Sequence, residues 1–153
     1  MSNDREALRA WLDLLGVAMT LKKRADAHMR AEFGLSLSRF DVLAALDRAG
    51  EGGLTGGGLS AWLRVTEGNT TQVTAPLIED GLVQRTISAE DGRVAQFKLA
   101  PKGRRLFARM AAENRRWVAE AFSGLSPADT KALRQLLSSL KPTSDAPRGE
   151  EAA

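Results

Sequence analysis

From about residue 4 to residue 33, Leu8, Trp11, Leu12, Leu15 and Met19 recur at spacings of three and four, and Lys22 continues the stripe. That is the period of one helix face. No proline interrupts the segment, and Asp4 and Glu6 suit the positive end of a helix dipole. Thirty residues at a rise of 1.5 Å make a rod of about 45 Å, longer than a small domain needs for its own core. The excess length predicts a partner subunit. Gly34 ends this helix, Ser36 or Ser38 can cap the next, and Phe40, Leu43, Ala44 and Leu46 face inward until Ala49-Gly50. A short helix follows over about 57–63, with Leu59 and Leu63 four apart. Arg64 and Val65 turn the chain, and Thr66 is placed to cap a second short helix whose inward face is Val73, Leu77 and Ile78. Pro76, about ten residues into that helix, costs about 3 kcal/mol in a helix interior and predicts a kink or an early end. Asp80-Gly81 stops it, with glycine in the left-handed position after the last turn.

The period then changes from helix to strand. A strand begins at Leu82, Ala89-Glu90-Asp91-Gly92 is turn chemistry, and Ala95, Phe97 and Leu99 alternate with Gln96 and Lys98. Pro101 opens a helix to about Phe122 with Leu106, Met110, Trp117, Val118 and Ala121 on its apolar side. Ser126-Pro127-Ala128-Asp129 starts a last helix carrying a seam of Leu133, Leu136, Leu137 and Leu140. Such a seam is a packing surface for other helices, the first helix and a second chain among them. Two short helices around a turn followed by a basic hairpin form the pattern of a winged helix-turn-helix. The expected fold is mainly α with a small β-wing, one domain over residues 1–141. In it the winged helix-turn-helix covers about 36–100, the dimerisation helices about 4–33, 101–122 and 127–140, and a disordered tail 142–153.

Between the turn and the apolar face of the second short helix lies Glu67-Gly68-Asn69-Thr70-Thr71-Gln72, a run of small and amide side chains. Amide side chains at a helix N-terminus pair with adenine in a major groove, and threonine can touch a thymine methyl. The helix has no Lys or Arg from Glu67 to Asp80, so phosphate attraction falls to Arg39, Arg64, Arg85 and Arg93. A hairpin tipped with arginine suits a minor groove or a phosphate. The candidate DNA-contacting residues are Ser38, Arg39, Arg64, Thr66, Gly68, Asn69, Thr70, Thr71, Gln72, Arg85 and Arg93.

The runs Leu37-Ser38-Arg39-Phe40-Asp41-Val42-Leu43, Leu54-Thr55, Val65-Thr66-Glu67-Gly68-Asn69, Glu79-Asp80-Gly81-Leu82-Val83, Asp91-Gly92-Arg93 and Leu99-Ala100-Pro101-Lys102-Gly103-Arg104 together resemble the MarR family of bacterial transcription regulators. The likeness spans about residues 35–110. It implies a homodimer on an inverted-repeat operator in double-stranded DNA, usually a repressor released by a small aromatic ligand. It also implies a wing in which Asp91 orients Arg93 toward the minor groove, which adds Asp91 to the candidate DNA-contacting residues. Gly56-Gly57-Gly58 departs from the helix formers common there and predicts a frayed first turn, since each interior glycine costs about 1 kcal/mol.

In such an architecture the effector site is the crevice between the dimerisation helices and the DNA-binding lobe. Its expected lining is Trp11, Leu15, Met19, Lys22, His28, Arg39, Phe40 and Leu43. Arg39-Phe40-Asp41-Val42-Leu43, Leu46-Asp47-Arg48-Ala49, Trp117-Val118-Ala119-Glu120 and Phe122-Ser123-Gly124-Leu125-Ser126 look like the branch that responds to hydroxycinnamoyl-coenzyme A thioesters in aromatic catabolism. Lys22, Lys23, Arg24, Arg30 and Arg39 are cations that such a ligand's phosphates would need.

Composition narrows the remaining classes. The chain has 153 residues, is 43% hydrophobic and carries a formal charge of +3, with a pI near 9.7. This is compatible with nucleic acid without demanding it. Without cysteine there is no disulfide framework, thiolate metal site or thiol switch. His28 is the only histidine, too few for a zinc site, and is expected to be solvated or locally bonded. Six glycines in the nine positions 50–58 are not followed by Gly-Lys-Ser or Gly-Lys-Thr, so they read as a connector rather than a phosphate loop. No catalytic set stands out, so the expectation is no enzyme, no cofactor and no metal. With no signal-peptide pattern at the start and no apolar run of about 20 residues, a cytoplasmic protein without membrane contact is expected. The competing readings are a winged helix that binds protein instead of DNA, and a constitutive DNA binder with no effector.

Overall fold

A computed structural model describes residues 2–63, 67–87, 90 and 92–140. Helix α1 (Ser2–Phe33) runs the length expected of it. After Gly34, whose φ is +70°, Ser36 caps helix α2 (Leu37–Ala49) by accepting the Arg39 N–H. Asp26 of α1 accepts the Leu37 N–H at 2.9 Å and so ties the end of α1 to the start of α2. Helix α2 is buried on more than one side, with Val42 and Ala45 inside as well as Phe40, Leu43 and Leu46. It is the central helix of the core, which is why a one-sided stripe describes it poorly.

A single 3-10 turn at Gly50–Gly52 leads to a strand that the periodicity did not predict, β1 (Leu54–Thr55). Its two residues pair antiparallel with Phe97 and Gln96. Gly53 makes the approach possible: its φ is +66°, and a Cβ there would lie 3.1 Å from the Phe97 carbonyl carbon and nearer still to the oxygen. Helix α3 (Gly56–Leu63) begins at the first of the three glycines. The expected fraying gives way to a capped helix start, because Thr55 Oγ1 accepts the Gly58 N–H at 3.0 Å.

Helix α4 (Glu67–Glu79) continues through Pro76, so the proline does not end it. Its end is a Schellman turn: Leu82 N–H bonds to Leu77 O, Gly81 N–H bonds to Ile78 O, and Gly81 has φ +74°. Lys102 Nζ adds a bond to the Asp80 carbonyl. The wing strands β2 (Val83–Ile87) and β3 (Ala95–Leu99) pair antiparallel with Arg85 opposite Phe97, and β3 is central in the order β1-β3-β2.

Helix α5 (Pro101–Ala121) leaves the sheet directly. Gly103 sits against Leu82, and Phe107 stacks on Phe40 at 5.6 Å. The core is built from Met29, Leu35, the inward residues of α2, Leu59, Leu77, Leu82, Val83, Phe97, Leu99 and Met110. Residues up to Trp117 form one compact unit and residues from Val118 a second. In the second, helix α6 (Pro127–Ser138) starts with the expected capping box between Ser126 and Asp129. Leu136 and Leu140 stand exposed there. Among the described residues no helix is long and apolar enough to cross a membrane.

Candidate nucleic-acid interface

Helix α4 has two faces of opposite use. Thr70, Thr74 and Leu77 are each no more than 2% exposed, whereas Asn69, Thr71 and Gln72 face solvent. Two polar residues on the buried face are affordable because their hydroxyls are satisfied: Thr74 donates to Thr70 O at 2.8 Å, and Thr70 Oγ1 lies 2.8 Å from Ser60 Oγ on α3. Thr70 therefore belongs to the packing of the two short helices. This corrects its expected place among the base-reading residues, since a hydroxyl held between α3 and α4 cannot also reach a base edge.

The outward residues sit beside basic ones. Arg85 on β2 and Arg93 at the hairpin turn are exposed, and both line a cavity of about 640 Å³ between α4 and the wing, floored by Ala75, Ile78 and Phe97 with Thr71 on its wall. Thr71, Arg85 and Arg93 thus share one groove, while Ser38, Asn69 and Gln72 meet at a second cavity on the other flank of α4. Arg39 is half-buried on the first turn of α2. Arg64, Thr66 and Asp91 lie outside the described residues, as do the side chains at positions 67 and 68. The backbone of Gly68 lies in the first turn of α4.

The second cavity, of about 250 Å³, is lined by Lys22, Ser38, Asp41, Leu63, Asn69, Gln72 and Val73. It touches α1, α2, α3 and α4 together. Desolvation raises the Asp41 carboxyl above the usual carboxylate range, and the charge of Lys22 opposes that rise.

Of the expected effector lining, only Lys22 belongs to this cavity. Leu43 is fully buried, and Phe40 is 8% exposed and stacked on Phe107, so both serve the core rather than an open wall. Trp11, Leu15 and Met19 stand exposed on α1. His28 is locally bonded, its Nε2 lying 2.8 Å from Glu113 Oε1 with its ring 6.4 Å from that of Trp117. Arg116 donates twice to the same carboxylate, which is held at about 2 first by Arg116 and then by His28. Asp41, Asn69 and Gln72 as cavity walls were missed, because a wall made from four elements leaves no periodic signal. No group of three or more His, Cys, Asp or Glu is placed to hold a metal among the described residues.

A family model described as MarR family matches residues 33–94. The HTH-type transcriptional repressor IacR of Pseudomonas putida is 30% identical over 103 residues, which is 67% of this chain and 60% of that repressor. The match thus spans about 60% of that relative's length. Among solved structures, Sco3205, a MarR family transcriptional regulator from Streptomyces coelicolor in complex with DNA, superposes with a TM-score of 0.79 at 21% identity. The match covers 88% of this chain and 84% of that one. BldR, a transcriptional regulator from Sulfolobus solfataricus, gives 0.76 at 22% identity, covering 92% of this chain and all of that one. At these identities the two structures speak for the fold alone.

Proposed function

Because the chain belongs to the MarR family of transcriptional regulators, we propose that it is a homodimeric, sequence-specific DNA-binding repressor that a small ligand releases from its operator. The observation that carries this reading is the exposed polar face of α4, on which Thr71 shares one groove with two arginines of the wing while Asn69 and Gln72 face solvent on the other flank. The amides read base edges in the major groove, and Arg85 and Arg93 hold the phosphates or minor groove beside it. Such a division suits a helix that carries no cation of its own.

Dimerisation is supported by α1. Leu8, Trp11, Leu12, Val17 and Met19 are each more than half exposed, a run of large apolar side chains that exceeds the scattered exposure of ordinary monomer surfaces. A two-fold dimer carries two copies of α4 about one DNA turn, roughly 34 Å, apart, so the operator is an inverted repeat. For the effector we propose an aromatic acid or its coenzyme A thioester. The support is the cavity beside Lys22, which meets the DNA-facing residues Asn69 and Gln72. Bound DNA and bound ligand then weaken each other by the same factor.

The test is duplex binding over a range of salt, with fragments selected from the source genome. The parent is expected to bind an inverted repeat with affinity that falls steeply with salt, and Arg93→Ala to weaken it broadly and flatten the slope by about one. Asn69→Ala or Gln72→Ala should relax sequence preference instead. Absence of salt-sensitive duplex binding by a properly folded protein refutes the reading and leaves a protein-binding winged helix. For the effector, an aromatic acyl-coenzyme A should raise the melting temperature and dissociate the operator complex, with the free acid weaker. Equal potency leaves a plain aromatic effector, and no response to either leaves a constitutive DNA binder.

A further inference from the structure

Ser60 of α3 and Thr70 of α4 are polar residues buried where the two helices meet, 7% and 2% exposed. Ser60 Oγ donates to the Gly56 carbonyl at 2.8 Å and lies 2.8 Å from Thr70 Oγ1. The two hydroxyls thus form a relay from α4 through Ser60 to the first turn of α3. A van der Waals contact at this place would resist separation of the helices but tolerate sliding and rotation. A directional bond fixes the rotation of α4 about its axis. Thr70 lies between Asn69 and Thr71, so that rotation sets where the outward side chains of the same turn point.

We propose that Ser60 and Thr70 are positioning residues for operator discrimination, acting through the aim of Asn69, Thr71 and Gln72 without touching DNA. The inference rests on the DNA-binding reading above for its functional half. The anchor at the far end is itself built in. Gly56 faces Phe97 of β3 at 3.7 Å from where its Cβ would be, and Thr55 caps the same turn while pairing with Gln96. The relay thus ties the rotation of α4 to the sheet that carries the wing. Both halves of the DNA grip are referenced to one frame.

The experiment compares parent, Thr70→Val, Thr70→Ser and Ser60→Ala in two measurements. Thr70→Val keeps the shape and removes the hydroxyl, while Thr70→Ser keeps the hydroxyl and removes a methyl group. In duplex binding, Thr70→Val and Ser60→Ala are expected to lower the ratio of selected-operator to scrambled-duplex affinity about tenfold, with scrambled-duplex affinity and salt slope unchanged. Thr70→Ser should keep the ratio within about twofold. Thr70→Val with the parental ratio overturns the inference, as does a fall of specific and scrambled binding together, which marks a merely structural role. The second measurement is amide hydrogen exchange over residues 67–74 in the free protein. Faster exchange in Thr70→Val and Ser60→Ala but not in Thr70→Ser supports the pin, and equal exchange in all four overturns it. If the parent binds no duplex at all, the regulator reading fails and the exchange result still decides whether the relay fixes α4.

Discussion

Replacing Gly103 by alanine tests how tightly α5 is set against the wing. An added Cβ would lie 2.8 Å from the Leu82 carbonyl carbon and 3.1 Å from its Cα, with the oxygen closer still. Carbon atoms at rest need about 3.5 Å or more, and the obstacle is backbone, which has no rotamer to change. The helix start must lift, and the bond from Ala100 N–H to that same Leu82 oxygen, 2.9 Å long, is strained or lost. Overpacking costs about 1–3 kcal/mol and the bond contributes about 1 kcal/mol. Alanine gains about 1 kcal/mol over glycine in a helix. The net expectation is a loss of roughly 1–3 kcal/mol. With a urea slope of about 1–3 kcal/mol per molar, the unfolding midpoint should fall by about 1 M at unchanged slope. The melting temperature should fall by about 2–4 °C for each kcal/mol lost. Both proteins are measured at one fixed concentration, because self-association makes midpoints concentration-dependent. A midpoint equal to or above the parent's refutes the close-approach argument and means that α5 slides freely over Leu82.

Two further outcomes concern pH. Glu113 is held at about 2 by Arg116 and then His28, below its unfolded value near 4.5, so its stabilisation is present above about pH 4.5 and is lost as pH falls toward 2. Glu113→Gln should flatten the decline in melting temperature across that window, and an unchanged decline refutes the assignment. Asp41 is shifted the opposite way by desolvation, so its contribution is present below the unfolded carboxylate value and is lost as pH rises through the raised one. Asp41→Asn should therefore raise the melting temperature at pH 7, and a fall would show that the Lys22 charge outweighs desolvation.

The elements with strong period or punctuation were legible from the residues: α1 from its stripe and lack of proline, α6 from Ser126-Pro127-Ala128-Asp129, and the end of α4 from Asp80-Gly81. What escaped were features that depend on a distant partner. Strand β1 is two residues whose only mark is pairing with Phe97 and Gln96, and no window of local sequence contains that pairing. Thr70 read as polar and outward, yet it is buried against Ser60 of α3, a partner ten residues away. Phe40 and Leu43 were correctly apolar but wrongly placed at an open wall, since α2 is enclosed on several sides. The continuation of α4 through Pro76 shows the same limit in reverse, with packing of Thr74 and Leu77 outweighing a local penalty.

The two flanks of α4 suggest how the proposed release works. The wing-side groove carries Thr71, Arg85 and Arg93, whereas Lys22, Ser38, Asp41, Asn69 and Gln72 meet on the other flank. A ligand on the second flank engages Asn69 and Gln72 themselves, so it competes with base edges at each α4 separately. A ligand that changed only the separation of the two α4 helices would instead leave each half-site contact intact. Moving an operator complex from about 99% bound to about 1% bound requires differential affinity of about 10⁴, or about 5.5 kcal/mol, whichever route is used. The routes differ in what DNA geometry does to them. Local competition weakens binding to an isolated half-site as strongly, per subunit, as binding to the full repeat. A change in separation spares the half-site and is relieved on repeats with altered spacing. With the cavity bordered by Asn69 and Gln72, release should follow the first pattern, and full effector sensitivity confined to correctly spaced repeats would refute it.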